Sequence, residues 1–248
     1  MYAKKPLGHP FIELDTAEST NNYAMGLVHA GMAQHGTAVF AHSQTKGRGQ
    51  REKTWISEPG KNIALSLIIQ PEGLSTSQFF LLSKAVALAV SDVLMKICGP
   101  NVRIKWPNDV FWNDRKAAGI LIENVIKGSS WNYAVVGIGI NVNQTDFGEL
   151  QQQAVSLKQI TGKDGDVLAI AHDVIEAIAQ QYERIFKLPA AVEEGYRNRL
   201  FRLNEKVKLK KGSRVFDARI KDVTTRGQLV VQHAVEEVFD VGEVEWII

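Results

Sequence analysis

The chain has 248 residues, enough for one large domain plus a small one, and its 45% apolar and 23% charged residues describe an ordinary globular protein rather than a disordered one. A net charge of +2 is too small for a surface-wide field that recruits nucleic acid, so any anion site is expected to be local. One cysteine, Cys98, rules out an intramolecular disulfide and points to a buried thiol in a reducing compartment, the cytoplasm; no signal peptide or membrane span is expected, because no apolar run is long enough.

In chain order, residues 19–31 read as a first helix, with Ser19 or Thr20 as cap, Tyr23, Ala24, Leu27 and Val28 on one face, and Gly31 as the stop. Residues 37–44 and 62–71 read as strands, and the basic stretch "SQTKGRGQREKTW" (43–55) lies between them. Residues 77–99 form the clearest helix, with Ser77 as cap candidate and Gly99 as stop. "NVRIKW", "DVFWN", "KAAGILIENVI" and "WNYAVVGIGINV" follow as a mostly antiparallel meander. Helical periodicity returns over 166–186 and 189–201, and then five short segments alternate in strand fashion. The reading is α+β, with domains at 1–202 and 203–248, the second a small all-β barrel.

The residues that carry chemistry sit in the loops. Gly47 and Gly49 let a backbone approach a ligand closely, and Arg48 offers a planar charged fork for phosphate or carboxylate, although Lys- and Arg-rich loops are usually only solvated. Gln44 can hold an amide-bearing ligand, and Trp55 either stacks on a planar base or anchors the loop to the domain. In "RIKWPNDVFWNDRKAAGILIE", a turn at Pro107-Asn108 brings Asp109 toward Lys116 on the returning strand, as a site pair or a surface ion pair. The asparagines of "GIGINVN" read a base edge or satisfy a turn. The six histidines show no metal-ligand spacing, and no nucleophile elbow is present.

Taken together, "ESTNN", "SQTKGRGQREKTW", "KWPNDVFW", "RKAAGILIE" and "VGIGINVN" occur in the order and spacing of the biotin protein ligases, which the chain resembles over nearly its whole length. The resemblance implies a class II aminoacyl-tRNA synthetase-like catalytic domain, a mixed and mostly antiparallel sheet with helices, followed by an SH3-like β-barrel. It implies activation of biotin by ATP, with Mg2+, to biotinyl-5'-AMP and pyrophosphate, then transfer to a lysine of a biotin carboxyl carrier protein.

The same resemblance assigns biotin to Ser19, Thr20, Asn21, Gln44, Arg48, Gly49, Gln50, Lys116 and Gly119. It assigns ATP and the adenylate to Arg48, Trp55, Lys116 and Asn141, and the catalytic roles to Lys116, Arg48 and Asp109. Many members read "GRGRRGR" where this chain has "GRGQREK"; Gln50 and Glu52 depart from that pattern, and Arg51 is expected to supply the missing positive charge at the adenylate. Only 18 residues precede Ser19, so the DNA-binding role of longer members is not expected. A homodimer is one state the family allows. The rival readings are a lipoate or octanoate ligase, which shares the architecture, and a non-catalytic sensor of biotinyl-AMP.

Overall fold

The computed structural model describes residues 6–51 and 53–247; Glu52, one of the two departures in the basic loop, lies outside them. Seven strands, β1 (Phe11–Ala17), β2 (Ala38–Gln44), β3 (Ile63–Ile69), β4 (Val102–Lys105), β5 (Asp109–Trp112), β6 (Arg115–Lys127) and β7 (Ser130–Ile140), form one sheet in the order β1-β2-β3-β7-β6-β5-β4. Only the β1–β2 pair is parallel. Five more, β8 (Lys206–Lys211), β9 (Arg214–Val223), β10 (Leu229–Gln232), β11 (Glu236–Phe239) and β12 (Glu245–Ile247), form a second, wholly antiparallel sheet. The molecule is thus α+β with a mixed, mostly antiparallel main sheet, as the sequence suggested.

Helices cover the main sheet on both faces, and the strand sequences show why. In β3, Ile63, Leu65, Leu67 and Ile69 point into the large core under α2 (Phe79–Cys98) and α4 (Val167–Lys187). The alternate residues Ala64, Ser66 and Ile68 face the other side, where Ile68 packs with Ala24 of α1 (Thr20–His29). A strand buried on both faces reads as a continuous apolar run, and Ser66 is its single polar residue. Leu82, Val86, Val90 and Leu94 of α2 supply the helix side of the core, against α4 and α5 (Pro189–Asn198).

Three local details differ from the sequence reading. β1 was not expected: it is an edge strand with no fully buried residue, so its apolar alternation is weak, and the parallel pairing with β2 supplies what the pattern does not. Tyr23 lies outside the apolar face of α1 and is exposed, while Ala24 is buried. The short helix α3 (Leu157–Thr161) is marked by a capping box, Ser156 with Gln159, a local signal that a five-residue helix gives without any periodicity. Cys98 is half-buried at the end of α2, and desolvation pushes its thiol up to about 11, which makes it a poor nucleophile. No helix among the described residues is long and apolar enough to cross a membrane.

The two sheets meet through polar anchors rather than a loose linker. Lys84 of α2, 1% exposed, pairs with Glu193 of α5 and donates to the carbonyls of Val223 and Thr224. Trp106 donates from Nε1 to the Gly227 carbonyl at 2.8 Å. A buried ammonium left without these acceptors would be costly, so the C-terminal sheet is held in one place against α2 and α5.

Candidate active site

On the α1 face of the main sheet, a narrow cleft of about 50 Å³ opens between the N-terminus of α1, the ends of β6 and β7, and the folded basic loop. Its floor is built by strand register. Gly119 of β6 stands opposite Gly139 of β7, and Leu121 opposite Gly137. A Cβ on Gly137 would come within 2.3 Å of Asn21 Oδ1, and one on Gly139 within 2.5 Å of the Trp55 ring. The glycines of "GIGINVN" therefore make room for two side chains that cross the sheet from elsewhere in the chain.

One end of the cleft is neutral and cross-bonded. Ser19 caps α1 and places Thr20 and Asn21 in its first turn, all three buried. Gln44, the last residue of β2, accepts from the Thr20 backbone N–H at 2.8 Å and from its hydroxyl at 3.3 Å. Asn21 donates to Glu123 at 2.9 Å and to the Leu121 carbonyl at 3.3 Å. Ser66 donates to Asn21 Oδ1 at 2.7 Å, and its oxygen lies 2.8 Å from Thr20 Oγ1. The result is a fixed row of hydroxyl and amide groups.

The other end is cationic. Lys116 forms a 2.7 Å ion pair with Asp109, and its Nζ lies 5.5 Å from the Trp55 ring centre. A β-bulge puts it there. Val110 pairs with Ala118 but Phe111 with Lys116, so Ala117 is an extra residue, buried with Ala118 in the core. The added residue reverses the in–out alternation and lands Lys116 beside Gly119, where a Cβ would lie 3.1 Å from its Nζ. Arg48 reaches the cleft from the loop on the α1 side, with Nη1 3.0 Å from Glu123, which also accepts from Asn21, and 2.9 Å from Asn22 Oδ1.

The loop itself folds back as a small hairpin: Trp55 N–H donates to the Gly47 carbonyl at 2.9 Å, Gly49 N–H to the Lys53 carbonyl at 2.7 Å, and Arg48 bridges to Thr54. Trp55 Nε1 is buried over the glycine floor without a hydrogen-bond partner among the described residues.

Of the residues singled out from the sequence, Ser19, Thr20, Asn21, Gln44, Arg48, Gly49, Gln50, Trp55, Lys116 and Gly119 all line this one cleft. Asp109 stands behind it through its pair with Lys116. Asn141 does not line it: the side chain is buried and donates to the carbonyls of Lys116 and Val155, both at 3.3 Å, bracing the strand that carries the lysine. Arg51 is also turned away, donating to the carbonyls of Val241 and Gly242 in the C-terminal sheet's last turn. Its φ of +54° is a conformation that favours glycine.

With this geometry in view, the comparisons are direct. The model of the Biotin/lipoate A/B protein ligase family matches residues 14–141, just over half of the chain. The chain belongs to this family. The Bacillus subtilis bifunctional ligase/repressor BirA is 35% identical over 181 residues, covering 71% of this chain and 54% of that protein. The biotin–[acetyl-CoA-carboxylase] ligase of Paracoccus denitrificans is 39% identical over 158 residues, 61% of this chain and 63% of that one. The chain therefore spans about half to three-fifths of the length of these relatives. Among solved structures, the Aquifex aeolicus biotin protein ligase in complex with biotin and ATP superposes with a TM-score of 0.81 at 26% identity, over 96% of this chain and 99% of that one.

Sequence reasoning about this family member missed three residues that hold the site together: Ser66, Asn22 and Glu123. Ser66 had a readable signal, a lone hydroxyl in a strand of six apolar residues. Asn22 and Glu123 sit inside quoted motifs but show their use only when β6 is laid beside α1 and the loop.

Proposed function

We propose that the chain is a biotin protein ligase, working on biotin, Mg·ATP and a biotin carboxyl carrier domain. The observation that carries this reading is the make-up of one cleft: a buried hydrogen-bonding row from Ser19, Thr20, Asn21 and Gln44, flanked by two cations, Lys116 on one side and Arg48, through Glu123, on the other. A ureido ring needs donors and acceptors without net charge, as offered by Thr20, Asn21, Gln44 and the N-terminus of α1. A carboxylate attacking a phosphate needs cations where charge gathers.

In the first half-reaction the biotin carboxylate attacks the α-phosphorus of ATP and pyrophosphate leaves. Lys116 and Arg48 hold the two anions together and stabilise the oxygens on which charge develops, a role in positioning and electrostatics rather than covalent bonding. For that, Arg48 must exchange part of its contact with Glu123 for the ligand, and Lys116 part of its contact with Asp109. Trp55 closes the adenylate end, and its unpaired Nε1 is available to an acceptor there. In the second half-reaction a carrier lysine attacks the mixed anhydride, with Asp109 freed to orient the incoming amine.

Magnesium belongs to the Mg·ATP substrate. The same reading divides the chain into a catalytic unit, 1–202, and a C-terminal unit, 203–248, and places the enzyme in the cytoplasm, where the lone Cys98 stays reduced.

The test is mass spectrometry of a carrier domain incubated with the protein, biotin and Mg·ATP. A gain of one biotinyl group, lost with Lys116→Ala, is expected. A gain from lipoate instead of biotin would move the reading to the lipoate ligases of the same family; the buried polar row, poorly suited to an apolar acyl chain, argues against that outcome.

A further inference from the structure

Lys105 ends β4 and faces Asp109 across the β4–β5 pair. Its Nζ lies 4.8 Å from the centre of the Phe111 ring and 5.5 Å from that of Trp246, one ring from β5 and the other from β12 of the C-terminal sheet. Asp109 directs its carboxylate to Lys116, at 2.7 Å. Lys105 is thus an amine boxed by aromatic faces beside the reactive pair, at the junction of the two sheets.

Such a box favours the ammonium weakly through the ring quadrupoles and penalises it through lost water. Burial has the larger effect and brings the amine down to about 8, with Asp109 pulling it up and Lys116 and Lys53 pushing it further down. A neutral amine is therefore present near physiological pH, as it is not for an exposed lysine at about 10.4.

The proposed transfer half-reaction, on which this inference rests, needs a proton acceptor: the carrier lysine arrives as an ammonium, and only its neutral amine can attack. In the proposed step Asp109 orients the incoming amine, and the proton falls to another group. We propose that neutral Lys105 takes the first proton from the carrier lysine, while Asp109 holds that lysine in line with the adenylate. The freed lone pair forms the N–C bond to the acyl carbon. The C–O bond to phosphate breaks, AMP leaves with that electron pair, and the remaining excess proton on nitrogen passes to water. Trp246 gives the C-terminal sheet a part in this step, since it is one wall of the box.

The sign follows from the lowered pKa. Below about 8 Lys105 is charged and cannot accept, so transfer slows as pH falls through that value. The experiment is single-turnover transfer from preformed biotinyl-AMP to a subsaturating carrier domain, set against biotin-dependent pyrophosphate exchange at each pH. The full chain is expected to show a bend in transfer near 8. Lys105→Arg, which keeps a cation over both rings but stays protonated, is expected to slow transfer about 100-fold and remove the bend, with exchange changed by less than about threefold. Lys105→Met, neutral at every pH, serves if the arginine variant does not fold, and is expected to lose the bend likewise. Wild-type transfer with an unshifted bend in a folded variant overturns the role of Lys105, as does an equal loss in both half-reactions, which marks a structural effect. A full chain that shows no biotin-dependent exchange overturns the proposed function itself and takes this step with it.

Discussion

The two ends of the cleft are built by opposite means. At the α1 end, Thr20, Asn21, Gln44 and Ser66 bond to one another across three elements, and Ser66 is 0% exposed. The two cations beside this row, Arg48 and Lys116, are only partly covered and each is held by one carboxylate, Glu123 and Asp109. The row is complete before a ligand arrives, whereas the cations stand in ion pairs that a more highly charged ligand can replace. Under the proposed function, recognition of a neutral head group would rely on preorganisation, and activation on cations that change partners.

Substitutions at the two ends should separate binding from chemistry. The largest effect is expected at Lys116→Ala: pyrophosphate exchange falls about 100- to 1,000-fold, while biotin affinity by calorimetry changes little. A parallel loss of biotin affinity would instead show that the lysine serves ground-state binding.

Next is Gly137→Ala, which puts a methyl group 2.3 Å from Asn21 Oδ1 and forces that side chain out of its bonds to Ser66 and Glu123. A loss of about 1–3 kcal/mol in urea unfolding is expected, with weakened biotin binding. Ser66→Ala keeps the space but leaves Asn21 Oδ1 without its donor; about 1 kcal/mol, and a several-fold drop in biotin affinity with an unchanged rate at saturation, is the expected result. A rate loss at saturation would blur the contrast between the two ends.

The smallest effect is expected at Arg51→Ala. Its guanidinium bonds to the Val241 and Gly242 carbonyls, so adenylate affinity should stay within about twofold and stability within about 0.5 kcal/mol. A tenfold weaker adenylate would mean that Arg51 swings into the cleft when it is filled, as the loop sequence on its own suggests.

Much of this was legible in the chain. The α2 and α4 helices carry apolar spacing that any 3.6-residue period exposes, and the five C-terminal strands alternate plainly. The cleft residues were found because they sit in motifs whose order is specific. β1 was not legible, because an edge strand buries too little to leave a pattern. Asn141 and Arg51 sit in the same motifs but turn away from the cleft, since motif position records neighbourhood in the chain and not the direction of a side chain.

The sequence by itself therefore determined most of the elements, the α+β class and most of the residues that line the cleft, because periodicity and turn chemistry are local. Only the tertiary structure decided which way they face. The extra Ala117 that turns Lys116 outward, the Gly119–Gly139 register that admits Trp55, and the Trp246 wall behind Lys105 all depend on strands pairing with partners distant in the chain. Register and packing between distant segments are fixed by side-chain burial on both partners at once, which neither strand encodes alone.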